Sequence, residues 1–307
     1  MNGVLRRYAA DVDITDLTIR YLYNFPEFDE APATAWAEFA ARRVTGRFDL
    51  SVHTQYRIPD EFIDLPCLKK AMEISLCFVG MVVWFSLPAA AVDKFTRLTK
   101  LQMSELRLSD NGEGISDVVS RRCPCLEILE LERVGELDVI SLTLRSESLL
   151  ILRIVSVSYL RRLEVEAGNL REIQVEDSFP ESYIPAAMRL SMPAMEVFHW
   201  RDRCPDEFDM TRLPMCLKEL FFHVFDHDIV DMMEYFSRVD VLRLNPILPC
   251  ALGSEELESL LHRVQLPYYS ELDLGVITNG AYVPKFNGDP CMPDALAANR
   301  SSGGIKR

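Results

Sequence analysis

Two short stretches of this 307-residue chain hold side chains that could do chemistry. Cys123-Pro124-Cys125 sets two thiols one residue apart, the raw material of a metal clip or a redox pair. His223-Val224-Phe225-Asp226-His227-Asp228 offers two imidazoles and two carboxylates, and histidines four apart on a helix could share a metal ion. Context argues against both. The eight cysteines are Cys67, Cys77, Cys123, Cys125, Cys204, Cys216, Cys250 and Cys291; they form no C-x-x-C, and no second pair lies at zinc-finger distance from the first. His223 falls in a strand unit and His227 in the turn beyond, so no helical face joins them. Asp228 instead suits the cap of a helix over 229–238, with Asp231 in its first turn. No G-x-S-x-G, phosphate loop or G-x-G-x-x-G occurs, and Ser, His and Asp are too scattered to nominate a triad. No catalytic, metal-binding or cofactor-binding residue is expected, and the chain is not expected to be an enzyme.

The elements that place these residues follow from the leucines after Cys125. Leu126-x-x-Leu129-x-Leu131 recurs from Leu98, Leu137, Leu149, Leu160, Leu170, Met192, Leu217, Val239 and Tyr269, with a degraded copy from Leu68 that carries one inserted residue. The last apolar positions of each unit alternate, which is strand periodicity. One such strand cannot bury its apolar face alone, whereas stacked copies can. The fold class expected is therefore α/β, a leucine-rich-repeat solenoid with a curved parallel sheet and helices or extended returns on the outer face. From Leu126 to Leu170 the units start every 10–12 residues. That length holds a strand and two turns but no helix. Units at Leu126, Leu149 and Leu170 should then lie on one sheet, and those at Leu137 and Leu160 on the opposite one. Cys123-Pro124-Cys125 gains a structural place as the stop between the segment 114–122 and a strand.

Three regions are expected: 1–55, an N-terminal helix and capping strand; 56–275, the solenoid; 276–307, a mobile tail. The helix reads over 33–45, with Trp36, Phe39, Ala40 and Val44 on one face and Gly46 ending it. The longest apolar stretch, 75–92, contains Pro88, is short for a membrane span and reads as core. A net charge of −14 opposes binding to phosphate backbones or anionic membranes, so neither nucleic acid nor membrane is an expected partner. No secretory signal is read at the N-terminus, so cytoplasmic or nuclear localisation with reduced cysteines is expected.

In each unit the residue between the last two apolar positions, and the one after the unit, should face outward. That places Phe198, Trp200, Phe221 and His223 together, with Arg243 alongside, as an aromatic binding patch on the concave face. Glu130, Glu132 and Glu176 form an acidic strip on the same face. A protein partner is expected there.

The strings "AWAEFAARRVTGRFDL", "LPCLKKAMEISL", "RCPCLEILEL", "LRSESLLILRI", "WRDRCPDEF" and "ELDLGVITNGAYV" resemble the repeat region of the grass-type plant F-box/LRR proteins, a family often carrying an FBD module, over roughly residues 30–283. The resemblance implies the substrate-recognition region of a ubiquitin-ligase adaptor. Residues 1–32 contain no F-box-like Leu-Pro helical module, so a Skp1-like adaptor is not expected to bind this chain alone. The departure at both ends reads as a truncated paralogue or an incomplete gene model. The alternative function is a small-ligand receptor or hydrolase on the same scaffold.

Overall fold

Successive turns of the chain start alike, and that start sets everything after it. The amide of Leu126 donates to the carbonyl of Cys123 at 3.2 Å, closing a turn whose two central residues, Pro124 and Cys125, are exposed. The same turn closes Ala71 on Leu68, Leu98 on Phe95, Leu170 on Ala167 and Met195 on Met192. At Leu149 the hydroxyl of Ser146 replaces the carbonyl and accepts the Leu149 amide at 3.2 Å. Apart from Ser146, the residue that opens each of these turns is buried, and Cys123 is simply one of this column, beside Leu68, Phe95, Ala167 and Met192. Its thiol is pushed up to about 12, first by burial and then by the neighbouring Cys67. Cys125 points to solvent, so the two thiols of the pair part company.

The computed structural model describes residues 12–23, 31–54, 61–79, 83–86, 94–108, 114–135, 140–179, 185–212, 214, 217–223, 232–233, 235–236, 238–244, 247–248, 268–274, 276–278 and 281–283. Eleven strands form one sheet in which every neighbouring pair is parallel: β1 (Ile14–Tyr23), β2 (Val44–Thr54), β4 (Glu73–Val79), β6 (Lys100–Ser104), β8 (Ile128–Glu132), β10 (Ile151–Val155), β12 (Glu172–Glu176), β14 (Val197–Arg201), β16 (Leu217–Phe222), β17 (Arg238–Leu244) and β19 (Tyr268–Leu274). A second parallel sheet holds β9 (Ile140–Arg145), β11 (Leu160–Glu166), β13 (Ala187–Ser191) and β15 (Glu207–Arg212). The chain is thus a parallel β-solenoid. Its short-period stretch alternates between two sheets, with Leu126, Leu149 and Leu170 leading strands of the long one and the units at Leu137 and Leu160 on the other.

Returns differ from the expected outer helices. On the N-terminal side they form a third parallel sheet of β3 (Glu61–Asp64), β5 (Val83–Ser86) and β7 (Arg107–Leu108). Strand-forming Val83, Trp84 and Phe85 sit where length alone also allowed a helix. The return before Cys123 is helical: Ile115–Asp117 continues into a π-helical turn, Val118–Arg122, which ends at Cys123-Pro124. Ser116 and Ser120 lie four apart on it, and their hydroxyls accept the amides of Thr143 and Arg145 at 3.0 Å each. These two amides belong to the open edge of β9, so the helix satisfies a strand edge that would otherwise pair promiscuously.

At the N-terminus, α1 (Ala31–Arg43) buries Ala33, Trp36, Ala37 and Ala40, while Phe39 is only half-buried. Tyr21 of β1, a strand not expected from the sequence, meets Trp36 edge-on at 5.5 Å. Gly46 does not cap the helix. It lies within β2 opposite an irregularity in β1, where a Cβ would come 2.7 Å from the Thr15 carbonyl oxygen. At the other end, β18 (Ile247–Leu248), β20 (Val276–Thr278) and β21 (Ala281–Val283) form a small sheet, so strand structure extends beyond the expected limit at 275. Residues 284–307 lie outside the described residues.

Two backbone ladders hold the stack. At the strand entrance, the carbonyl of Thr99 accepts the amides of both Glu127 and Ile128, that of Glu127 those of Leu150 and Ile151, and that of Leu150 those of Arg171 and Glu172. Arg171 then takes Glu196 and Val197, and Glu196 takes Lys218 and Glu219. At the strand exit, Glu105, Arg133, Ser156 and Asp177 are all left-handed, with φ of 58, 49, 52 and 44°. Their amides donate to the carbonyls of Glu132, Val155, Glu176 and Arg201 in the next turn. A non-glycine residue in this region is strained, and the repeated exchange with the next turn holds it there.

Two predictions follow from this geometry. Leu152 is fully buried, whereas Arg153 faces out between Glu130 and Glu172. Leu152→Asp should cost several kcal/mol, and Arg153→Asp about 1–2 kcal/mol through like-charge repulsion that salt relieves; equal losses in denaturation midpoint would contradict the register. At the left-handed corner, Ser156→Asn should stabilise by a few tenths of a kcal/mol and Ser156→Val destabilise by about 1–2 kcal/mol. The reverse order would show that the corner is not left-handed.

Candidate partner-binding face

Strand side chains alternate, so the entrance ladder decides which residues face out. In β14 the strand is led by Met195, not Met192, because the turn closes on Met195 and the carbonyl of Glu196 occupies the ladder. The core positions are therefore Phe198 and Trp200, both 0% exposed, and the expectation that they lie on the surface is corrected. Phe198 stands in line with Ile173 and Leu220, and Trp200 with Val175 and Phe222. Their rings belong to an aromatic core in which Phe198 lies 5.3 Å from Phe236 and Trp200 5.6 Å from Phe179. The sequence held the signal: Pro193-Ala194-Met195 matches Pro124-Cys125-Leu126 position for position. In the same way the degraded copy is led by Ala71 with no inserted residue, since Met72 supplies the ladder carbonyl to Thr99 and Lys100.

Trp200 is fixed by a buried polar network at the strand exit. Its indole N–H donates to the Asp202 carbonyl at 2.7 Å. One Asp202 carboxylate oxygen accepts the amides of Ser178 and Phe179, the other that of Arg203 at 2.8 Å. The hydroxyl of Ser178 accepts the Val157 amide at 3.1 Å. Burial pushes the Asp202 carboxyl above its ordinary 3.8; the amide bonds, Phe179 first, pull it back, and the charge of Asp177 adds to the push.

On the outer side of the long sheet the strands line up in rows. The central row runs Gln102, Glu130, Arg153, Gln174, His199, Phe221, Arg243 and Asp273. Phe221 and Arg243 lie in this row and His223 continues β16, all three half-buried on the outer side as expected. His199, Arg201 and Glu219 join them, placed there by the corrected register. The Phe221 ring lies 5.4 Å from that of His199 and 6.0 Å from that of His223. Glu219 receives His199 at 3.1 Å and Arg243 at 2.8 Å. Burial, and next the charge of Arg201, lower the pKa of the His223 imidazole.

The acidic strip is not a free negative surface. Glu130 pairs with Lys100 at 2.9 Å and Arg153 at 2.7 Å, Glu132 with Arg133 at 2.7 Å, and Glu176 with Gln174 at 2.7 Å and Arg201 at 3.8 Å. Such partly exposed pairs contribute under about 1 kcal/mol each, but they spend the charge that would have steered a basic partner.

One further constellation lies on β2, whose Asp49, Ser51 and His53 share a face. Ser51 Oγ lies 2.8 Å from His53 Nε2, and Ser51 also bonds Cys77 of β4. Asp49 turns away to Arg47 at 3.4 Å, so no carboxylate orients the imidazole from within this set. Burial raises the Cys77 thiol pKa, which keeps it from being a ready nucleophile. Asp226, His227 and Asp228 lie outside the described residues. Among the described residues, no group of three or more His, Cys, Asp or Glu could hold a metal ion, and no helix is long and apolar enough to cross a membrane.

Asp202→Ala leaves two buried amides and the part-buried one of Arg203 without their acceptor and should cost about 2–4 kcal/mol. A carboxyl whose pKa is raised on folding binds more protons folded than unfolded, so its contribution to stability falls as pH climbs from 3.8 through the raised value. The gap between wild type and Asp202→Ala should therefore be wider at pH 3.5 than at pH 7, measured by urea denaturation at each.

Comparison with protein-family models, curated proteins and solved structures returned no match for this chain.

Proposed function

We propose that the chain is a protein-interaction module that holds its partner on the outer face of the long sheet, around Phe221. The observation that carries this reading is the ring cluster of His199, Phe221 and His223, set on a sheet face whose other charges are largely paired with one another. An aromatic side chain held rigidly on a sheet, with polar groups around it, has the makings of an interface hot spot. Repeated L-x-x-L-x-L units, each opened by the same turn, support reading the solenoid as leucine-rich repeats. With the plant F-box/LRR resemblance, this favours the substrate-recognition role of a ubiquitin-ligase adaptor. The partner would be the protein to be ubiquitinated, and adaptor binding would need the F-box.

Proximity labelling by wild type and by the Phe221→Ala/His223→Ala variant in plant cells tests the reading, followed by affinity measurement on each purified partner. Hot-spot truncation costs about 2 kcal/mol or more, roughly a thirtyfold loss of affinity. The variant should lose its partners at that scale while melting within about 3 °C of wild type. Partners bound equally well by a variant of unchanged stability would place the interface elsewhere.

A further inference from the structure

The two arginines beside Phe221 differ from the rest of the face in how their donors are used. Arg153, two strands before the cluster begins at His199, is saturated: its guanidinium reaches Glu130 at 2.7 Å and Glu172 at 2.9 Å, with Nε also turned to Glu172. The guanidinium of Arg201 makes no hydrogen bond to any described residue; its nearest carboxylate oxygen, on Glu176, is 3.8 Å away, and Glu176 is already taken by Gln174. Arg243 gives Nη1 to Glu219 and leaves Nη2 without a hydrogen bond to any described residue; its Nε is buried and faces away from any ligand. Register puts Arg243 directly beside Phe221, and Arg201 one strand before His223 in the row next to it. Adjacent strands lie about 4.8 Å apart, so the backbone positions of both arginines stand within one or two residues' reach of Phe221 along an extended peptide, which rises about 3.3 Å per residue. Glu219 cannot serve both, because His199 and Arg243 already share it.

We infer that the Phe221 face takes a peptide segment of its protein partner that sets an Asp or Glu side chain one or two residues from an aromatic or leucine anchor. The anchor covers Phe221, and the carboxylate takes the unused donors of Arg201 and Arg243. A planar guanidinium with free N–H groups binds a carboxylate bidentately, which a lysine does not reproduce. The arrangement explains how an acidic protein can accept an acidic ligand: the attraction is local to two arginines, and most other charges around them are paired. This rests on the reading of the face as a protein-binding surface.

A displayed library of random twelve-residue peptides, panned against the full chain, tests it. Selected peptides should carry Asp or Glu within two residues of an aromatic or leucine. Arg201→Ala and Arg243→Ala should each weaken a synthesised peptide about tenfold, Arg201→Lys should restore only part of the loss, and binding should weaken severalfold between 50 and 300 mM NaCl. The His223 imidazole pKa, followed by NMR, should rise when the peptide binds, because the carboxylate offsets the charge of Arg201. Peptides that need Phe221 but lack acidic residues, or that ignore Arg201→Ala, would overturn this inference and leave the face reading intact. A library yielding only peptides indifferent to Phe221→Ala, or none at all, would overturn both.

Discussion

A single carbonyl per turn, placed just after the leading apolar residue, accepts two consecutive amides of the next turn, and the phase of each strand depends on that bond pair. In the turns before β4, β6, β8, β10, β12 and β14 the leader lies outside the strand and cannot shift, because its own amide is committed to the turn behind it. Side chains in a strand alternate with a period of two, so fixing the entrance fixes which residues enter the core. The constraint is made of backbone and is indifferent to side-chain identity on the outer face. Each turn also satisfies donors that only its neighbour can accept, so stability runs from neighbour to neighbour, as in other solenoids.

This division of labour explains why inner and outer faces differ so sharply. Inside, aliphatic columns such as Leu129, Leu152 and Ile173 give way after β12 to Phe198, Trp200 and Phe222, all buried. At the exit of the first aromatic strand, β14, the run of left-handed exits stops. Asp202 takes the corner instead, its carboxylate receiving the Ser178, Phe179 and Arg203 amides that a carbonyl ladder cannot reach. A buried carboxylate is tolerable only when its lone pairs are filled in this way.

The repeat and the two-sheet middle were legible because Leu126, Leu129 and Leu131 leave one consistent phase, and because ten to twelve residues cannot hold a strand and a helix. Legibility failed at Met192. Met192 and Met195 are equally apolar, as are Val197 and Phe198, so hydrophobicity admits two phases one residue apart. Only Pro193, which belongs inside the turn, breaks the tie. β13 and β15 were not read because "AMRLS" and "EFDMTR" alternate weakly. The left-handed corners were invisible because glutamate, arginine, serine and aspartate occupy positions where glycine would have announced them. Paired charges were illegible in principle: Glu130 and Arg153 are 23 residues apart and meet only through the register of β8 and β10.

The same phase links the core to the candidate face. His199 and Arg201 flank Trp200 on one five-residue strand, so anything that holds the indole inward holds the imidazole and the guanidinium outward. Trp200 is locked by its indole bond to Asp202 and by packing against Phe179, and Asp202 is locked by amides from the preceding turn. The outer groups around Phe221 are therefore positioned from beneath, by a network buried on the other side of the strand. A face built this way would give up little conformational freedom on binding, since its rings and guanidiniums project from a strand already fixed on its other side. Outer residues can then be exchanged at small cost to the fold, whereas a change at Trp200 or Asp202 disturbs both the fold and the outer face.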